Sequence, residues 1–269
     1  MTGNVAPAGT WWGSYKLDFE SSRIWTIGPL TLIVRCLNNE WQIGQQRKTD
    51  SQVNADLCET RITDQLPDTL AINSRYVFHQ TSGQLTLLPL MADRPIITRP
   101  QIPFYLTAGE EVTVYVSSSL WLELLVGTNP KKSLERIAIQ RPSDTWFGPS
   151  TRSGELCYAS TTHCRLSLKD QPHRPHRAIT PVLIRNRADT TLAVERLNMP
   201  SPSLPIYASA SGQLWTPKIT LTREKDGDMA ALKIDDKAPK EAESALRLSE
   251  PLNKIENGLL FRAFNAVFS

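Results

Sequence analysis

Residues 25–43 have the sequence WTIGPLTLIVRCLNNEWQI. An apolar run at 30–37 is followed by Asn38-Asn39 and then by a second, alternating run at 40–43. Asn tolerates the positive φ angles that tight hairpin turns need, and alternation of apolar and polar residues is the period of a half-buried strand. The segment therefore predicts a β-hairpin and indicates a fold built from strands.

The same pattern continues along most of the chain, as short alternating runs broken about every 8–15 residues by Gly, Pro, Asn or Asp. It predicts further hairpins, among them runs 218–222 and 229–234 around the turn 225–228, and runs 76–80 and 84–89 around 81–83. Helical periodicity is scarce, and most of the 19 prolines lie between the runs, which suits strands joined by fixed loops. We predict an all-β fold with little helix.

A short pattern, Pro-x-apolar-Pro-apolar-Tyr, occurs at 100–105 and again at 202–207. Each copy is followed by a glycine and then by an alternating run, which indicates an internal duplication. We therefore predict two tandem, related β-sandwich halves of jelly-roll type, packed together and spanning 1–140 and 141–269. Each half has about 130 residues, enough to bury a core of its own.

The composition is that of a globular protein, since 40% of the residues are hydrophobic and the formal net charge is only +3. No run approaches the roughly 18 apolar residues of a membrane helix, and residues 1–15 lack the basic and apolar regions of an export signal. The basic residues are scattered, so we expect no nucleic-acid binding. With four cysteines and no export signal, we expect a cytoplasmic protein with reduced thiols that is not inserted in a membrane.

A cluster of potential metal ligands falls within 20 residues: Cys157, His163, Cys164, His173 and His176. Imidazole and thiolate are ligands that zinc prefers. The spacing matches no zinc finger, however, and adjacent residues such as His163 and Cys164 point to opposite faces of a strand. Two interpretations stay open. The histidines are solvated beside half-buried thiols, or a metal-dependent β-sandwich or cupin-like enzyme holds zinc or another transition metal with His163, His173 and His176.

Motifs that carry nucleophilic, phosphate, dinucleotide or zinc-protease chemistry do not occur in the sequence: it has no G-x-S-x-G, G-x-x-x-x-G-K-[ST], G-x-G-x-x-G or H-E-x-x-H. We therefore expect a protein that acts by binding, without enzymatic activity and without a cofactor.

Seven tryptophans are many for a chain of this length, and we expect most of them in the core. Trp11 and Trp12 are adjacent, and adjacent residues of an extended segment face opposite ways. One of the two rings is therefore expected to stay exposed or to meet a partner. We predict a binding surface at Trp11, Trp12 and Tyr15, or at Asp144 and Trp146. Exposed aromatic rings also suit a carbohydrate-binding module, an interpretation that a cytoplasmic location weakens.

Several short motifs together carry a family resemblance: WGSY at 12–15, WTIGPL at 25–30, SDTWFG at 143–148, GELCY at 154–158 and RAF at 262–264. The set resembles an uncharacterised family of bacteria and archaea, catalogued as a domain of unknown function, over nearly the whole chain. Its members are often encoded next to small-conductance mechanosensitive channels. The resemblance implies a stand-alone soluble protein with a functional link to such a channel or to the envelope stress response, and it assigns no chemical role to any residue.

The sequence thus predicts a non-enzymatic interaction protein whose partner is another protein, with a mechanosensitive channel as the partner that the resemblance implies. Edge strands of an all-β protein also leave room for a homodimer, which nothing in the sequence selects.

Overall fold

A computed structural model describes residues 10–48, 57–64, 67, 70–148, 152–254 and 258–264. These residues form 23 strands and two short 3-10 turns, Leu168–Asp170 and Ser201–Ser203. The predicted all-β fold is confirmed. In the described ranges, no helix has the length and apolar character needed to cross a membrane.

The described chain divides into two compact units, each assembled from separate segments. The first unit holds the described residues up to Leu90, Leu120–Arg141 and His173–His176. The second unit holds Met91–Ser119, the described residues of Pro142–Pro172, and those from Arg177 onward.

Two antiparallel sheets form the first unit. The strands of one sheet are β2 (Ser22–Ile27), β3 (Leu30–Cys36), β4 (Glu40–Arg47), β5 (Cys58–Thr63) and β6 (Ser74–Val77). They lie in the order β5–β2–β3–β4–β6. The strands of the other sheet are β1 (Gly13–Lys16), β7 (Gln84–Leu90), β11 (Trp121–Val126) and β12 (Lys132–Ala138). Their order is β1–β7–β11–β12.

Residues 25–43 lie in β2, β3 and β4, the core of the five-stranded sheet. Ile27 is opposite Leu30 across a turn at Gly28, whose φ of +53° favours glycine. Cys36 is opposite Trp41 on either side of the asparagine loop, so the predicted hairpin is present.

The hairpin predicted between 76–80 and 84–89 is wrong. Tyr76 lies opposite Trp41 in β4, whereas β7 pairs with β1 and β11. An ion pair accompanies this distant pairing: Arg75 Nη2 lies 2.8 Å from Oε2 of the buried Glu40. The bond holds the pKa of Glu40 below its usual value, and so does a hydrogen bond from Gln42.

The second unit holds three sheets. One consists of β8 (Ile96–Pro100), β13 (Asp144–Phe147), β14 (Glu155–Cys164) and β17 (Leu197–Met199). Its order is β13–β14–β8–β17. A two-stranded sheet consists of β9 (Phe104–Leu106) and β16 (Leu192–Val194).

The largest sheet has eight strands: β10 (Glu111–Ser119), β15 (Arg177–Asn186), β18 (Ile206–Ala208), β19 (Leu214–Trp215), β20 (Ile219–Arg223), β21 (Met229–Ile234), β22 (Leu246–Ser249) and β23 (Leu260–Arg262). Its order is β22–β18–β19–β15–β20–β21–β23, with β10 also paired to β15.

The buried strand β15 lies at the centre of this sheet. It pairs antiparallel with all nine residues of β10 and parallel with β20. This pairing places 91–119 in the second unit, so the compact units differ from the consecutive halves 1–140 and 141–269. The hairpin predicted around 225–228 is present, with Ile219 opposite Ile234.

Candidate functional site

Asp144 and Trp146, two of the predicted binding residues, lie on one face of β13. Both are exposed. Phe147, the next residue, points the other way into a buried cluster with Cys157 and Ile97. Because side chains alternate along a strand, this inner cluster directs Asp144 and Trp146 outward.

Leu156 of β14 lies directly opposite Trp146 on the outer face. A backbone hydrogen bond of 2.8 Å runs from Ala159 N to Ser143 O. Hydrogen-bonded and non-hydrogen-bonded residue pairs alternate along an antiparallel ladder, so this bond fixes the type of each later pair. The Trp146–Leu156 pair is then of the non-hydrogen-bonded kind, in which the two Cα atoms approach to about 4.5 Å. The two side chains are 38% and 43% exposed, so they form one apolar patch at the surface.

The indole of Trp146 lies against the backbone of Gly154, the residue before β14. A Cβ atom at Gly154 would stand 2.3 Å from Trp146 Nε1 and 2.7 Å from the Phe147 carbonyl oxygen. Side-chain atoms do not approach that closely, so only glycine leaves the indole its place. Close packing against Gly154 restricts the orientations of the ring before a ligand arrives, which reduces the entropy lost on binding.

Charged and phenolic groups border the apolar patch. Arg94 Nη1 lies 3.2 Å from Asp144 Oδ1, and its guanidinium carbon lies 5.3 Å from the centre of the Tyr158 ring. The Tyr158 hydroxyl donates to Asp93 Oδ1 at 3.0 Å. Burial and this hydrogen bond raise the pKa of Tyr158, so the phenol stays protonated at neutral pH. We call the set Asp93, Arg94, Asp144, Trp146, Leu156 and Tyr158 the Trp146 face.

This arrangement suits noncovalent recognition. The apolar patch supplies surface that gains free energy when water is excluded, about 25 cal/mol for each Å² buried. The exposed Arg94–Asp144 pair contributes little stability, about 0–1 kcal/mol, and its charges remain available to orient a ligand.

Trp11 and Trp12 are both buried in the first unit, so the expectation that one ring stays exposed is wrong. The two residues lie outside any strand, and strand alternation does not govern them. Their rings meet edge to face with centroids 5.6 Å apart, and Trp11 Nε1 donates to the Pro175 carbonyl oxygen at 2.8 Å. Contacts within the chain thus occupy both indoles.

Tyr15 is buried beside them. Its hydroxyl donates to the Trp11 carbonyl oxygen at 2.9 Å, and its ring meets Trp25 edge to face at 5.2 Å. The guanidinium carbon of Arg23 lies 4.4 Å from the ring centre. Burial raises the pKa of Tyr15. The structure therefore places Trp11, Trp12 and Tyr15 in a packed interior and not on a binding surface.

The three histidines of the predicted metal centre are not gathered into a metal site. His163 is exposed on β14, His173 is exposed, and His176 is buried beside Gly28. Across the part of the chain that the structure describes, no group of three or more His, Cys, Asp or Glu side chains could hold a metal ion. The predicted His163–His173–His176 centre is therefore not formed by the described residues. On β14, alternation turns His163 outward and Cys164 inward.

Cys157 and Cys164 are buried thiols. Burial raises the pKa of each to about 12. Both are therefore neutral at physiological pH, and neither has the thiolate character of a nucleophile or a metal ligand.

Sequence reasoning missed Asp93, Arg94, Leu156 and Tyr158 as members of the Trp146 face. Arg94 lies 50 residues before Asp144 in the chain, and no local pattern connects the two. Leu156 had a usable signal, because alternation along 155–158 puts it on the same face as Tyr158.

Comparison with protein families identifies the chain. The model of a family described as "Protein of unknown function (DUF432)" matches residues 11–269, which confirms the resemblance seen in the motifs. No curated protein and no solved structure matches the chain.

Proposed function

We propose that this chain, which belongs to the DUF432 family, is a non-enzymatic interaction protein that binds another protein through the Trp146 face. The observation that carries the proposal is the exposed indole of Trp146, fixed against Gly154 and paired with the exposed Leu156. A rigid aromatic ring beside an aliphatic side chain is the composition of an interface anchor.

A tryptophan anchor of this kind is typical of protein–protein interfaces. Truncating a tryptophan anchor typically costs 2 kcal/mol or more of binding free energy, or about 30-fold in affinity. The anchor must be ringed by groups that tolerate water, and Asp93, Arg94 and Asp144 provide such a rim. A partner that fits presents an apolar side chain to Trp146 and Leu156, flanked by charges complementary to the rim.

The family resemblance names the first partner to test. A small-conductance mechanosensitive channel would present cytoplasmic segments, and the proposal accordingly places this protein in the cytoplasm and not within the membrane. The proposal for the Trp146 face does not depend on that choice of partner.

The test is site-specific photocrosslinking in the cells that encode the protein. A photoactivatable benzoylphenylalanine replaces Leu156 in one variant and Leu166 in the matched control. Leu166 is 62% exposed in the same unit, and it is not part of the Trp146 face. The cells are irradiated and separated into soluble and membrane fractions, and the adducts in each fraction are identified by mass spectrometry.

We expect one discrete protein adduct from position 156 that is absent from position 166 and is lost when Trp146→Ala is added. Recovery of the channel in that adduct supports the channel as the partner. Recovery of a different protein identifies that protein as the partner instead. No adduct from position 156, or the same adducts from both positions, would overturn the proposal.

A further inference from the structure

A cleft of about 510 Å³ lies in the second unit, where β20 begins and β21 ends. Its charged lining residues are Lys218, Lys233, Lys237, Lys240, Asp235, Asp236 and Glu241. We call it the lysine cleft. It holds four of the chain's 11 lysines, and its lining carries one more positive than negative charge.

The four lysines keep their charges free of ion pairs within the described chain. Every ion pair formed between described residues uses an arginine. Three carboxylates share the lining with these lysines, and none lies within 4.0 Å of an ammonium group, so the four positive charges remain available to an anionic ligand.

Both sides of the cleft are fixed in place. On the strand side, Asp235 N donates to the Lys218 carbonyl oxygen at 3.0 Å. On the loop side, the Tyr207 hydroxyl donates to the Asp236 carbonyl oxygen at 3.1 Å. The Tyr115 hydroxyl donates to Glu241 Oε1, also at 3.1 Å.

The loop also rests on a buried apolar floor. Ala242 belongs to a buried cluster with Ile179, Tyr207 and Trp215, and Ala238 packs against it. The loop backbone is therefore held in place before a ligand arrives. Binding has to order only the side chains of its two lysines, Lys237 and Lys240.

We propose that the lysine cleft binds the phosphate group of a small molecule. Ammonium groups bind phosphate as point charges and donate up to three hydrogen bonds each. The cleft's volume lies within the range of about 300–1,000 Å³ of small-ligand sites. The carboxylates of Asp235 and Asp236 can accept hydrogen bonds from hydroxyl groups of a phosphorylated compound. This site is independent of the Trp146 face.

The test is isothermal titration calorimetry of the full chain with three probes: ribose 5-phosphate, inorganic phosphate and ribose. The variant Lys237→Gln/Lys240→Gln removes two charges at exposed positions and keeps a polar side chain that is one atom shorter than lysine. The matched control is Lys225→Gln, an exposed lysine in the turn at the other end of the β20–β21 pair.

We expect saturable binding of the phosphate compounds and not of ribose. Loss of charge-assisted hydrogen bonds predicts about tenfold or greater weakening in the double variant, with the control within about twofold. Tighter binding of ribose 5-phosphate than of phosphate identifies a phosphorylated hydroxy compound, and equal binding identifies free phosphate. Failure of both phosphate probes to bind up to about 10 mM, ribose binding equally well, or equal weakening in the control would overturn the proposal.

Discussion

The Trp146 indole occupies the space that a side chain at Gly154 would need: a Cβ atom on Gly154 would lie 2.3 Å from Nε1 of the indole. The proposed binding depends on the exposed Trp146 ring. The position of that ring requires a residue without a side chain at position 154.

Gly154→Ala is expected to displace the indole and to remove the position-156 crosslink. The backbone of Gly154 lies outside the positive-φ region, so the effect is steric. The control is Gly109→Ala, whose Cβ meets nothing within 4 Å but whose φ is +82°. It should cost about 1 kcal/mol in urea unfolding and leave the crosslink intact. Equal crosslink yields in the two variants would refute the dependence of the indole on Gly154.

Arg177→Met is expected to destabilise the second unit. The buried guanidinium donates to Ser117 Oγ at 3.0 Å, to Thr162 Oγ1 at 2.8 Å and to the Ser117 carbonyl oxygen at 2.7 Å. Methionine leaves these buried acceptors without their donor, so urea unfolding should show a loss of about 2–4 kcal/mol. The control Arg187→Met, at an exposed arginine, should stay within about 0.5 kcal/mol of wild type. Equal losses of unfolding free energy in the two variants would mean that the buried hydrogen bonds of Arg177 contribute no more to stability than an exposed arginine does.

Gly28→Ala is expected to destabilise the first unit for two separable reasons. Its φ is +53°, and its Cβ would lie 2.5 Å from His176 Nδ1. Adding His176→Ala removes the second cause only. In a double-mutant cycle, Gly28→Ala should cost less in the His176→Ala background than in wild type, leaving about 1 kcal/mol of backbone strain. An unchanged cost would show that the imidazole does not restrict residue 28.

Stability is expected to fall as the pH rises from about 9 to about 12. Burial raises the pKa of Cys157 from its ordinary 9.0 to about 12. Between these values the unfolded chain has released the proton that the folded chain keeps, so rising pH favours unfolding. Below pH 9 both states are protonated and the contribution is complete.

The measurement for Cys157 is urea unfolding at pH 8 and pH 10. Cys157→Val removes the thiol while keeping an apolar side chain, and it should make the loss of stability between the two pH values smaller. A loss as large as in wild type would assign the pH dependence to other groups, such as the buried Tyr15.

Local turn chemistry could be predicted from the sequence, and distant pairing could not. The loop at Asn38-Asn39 and the turn at 225–228 each join strands that pair in the structure. The turn at 81–83 looked equivalent, yet Tyr76 pairs with Trp41, because contacts across 35 residues decide that register.

The candidate site shows the same division. The sequence pointed to Asp144 and Trp146 without predicting the strand β13 that puts them on one face, and Arg94 reaches them from a distant segment. The prediction for Trp11 and Trp12 failed because it assumed a strand, and the Pro175 carbonyl oxygen that bonds Trp11 lies 164 residues away.

The central claim is that Trp146 anchors a protein partner, and the affinity of the partner recovered by crosslinking tests it most directly. The purified partner is titrated with wild-type protein, with Trp146→Ala and with Leu166→Ala as the matched loss of an exposed apolar side chain. We predict that Trp146→Ala weakens binding about tenfold or more while Leu166→Ala stays within about twofold of wild type. Equal affinities for wild type and Trp146→Ala would contradict the account.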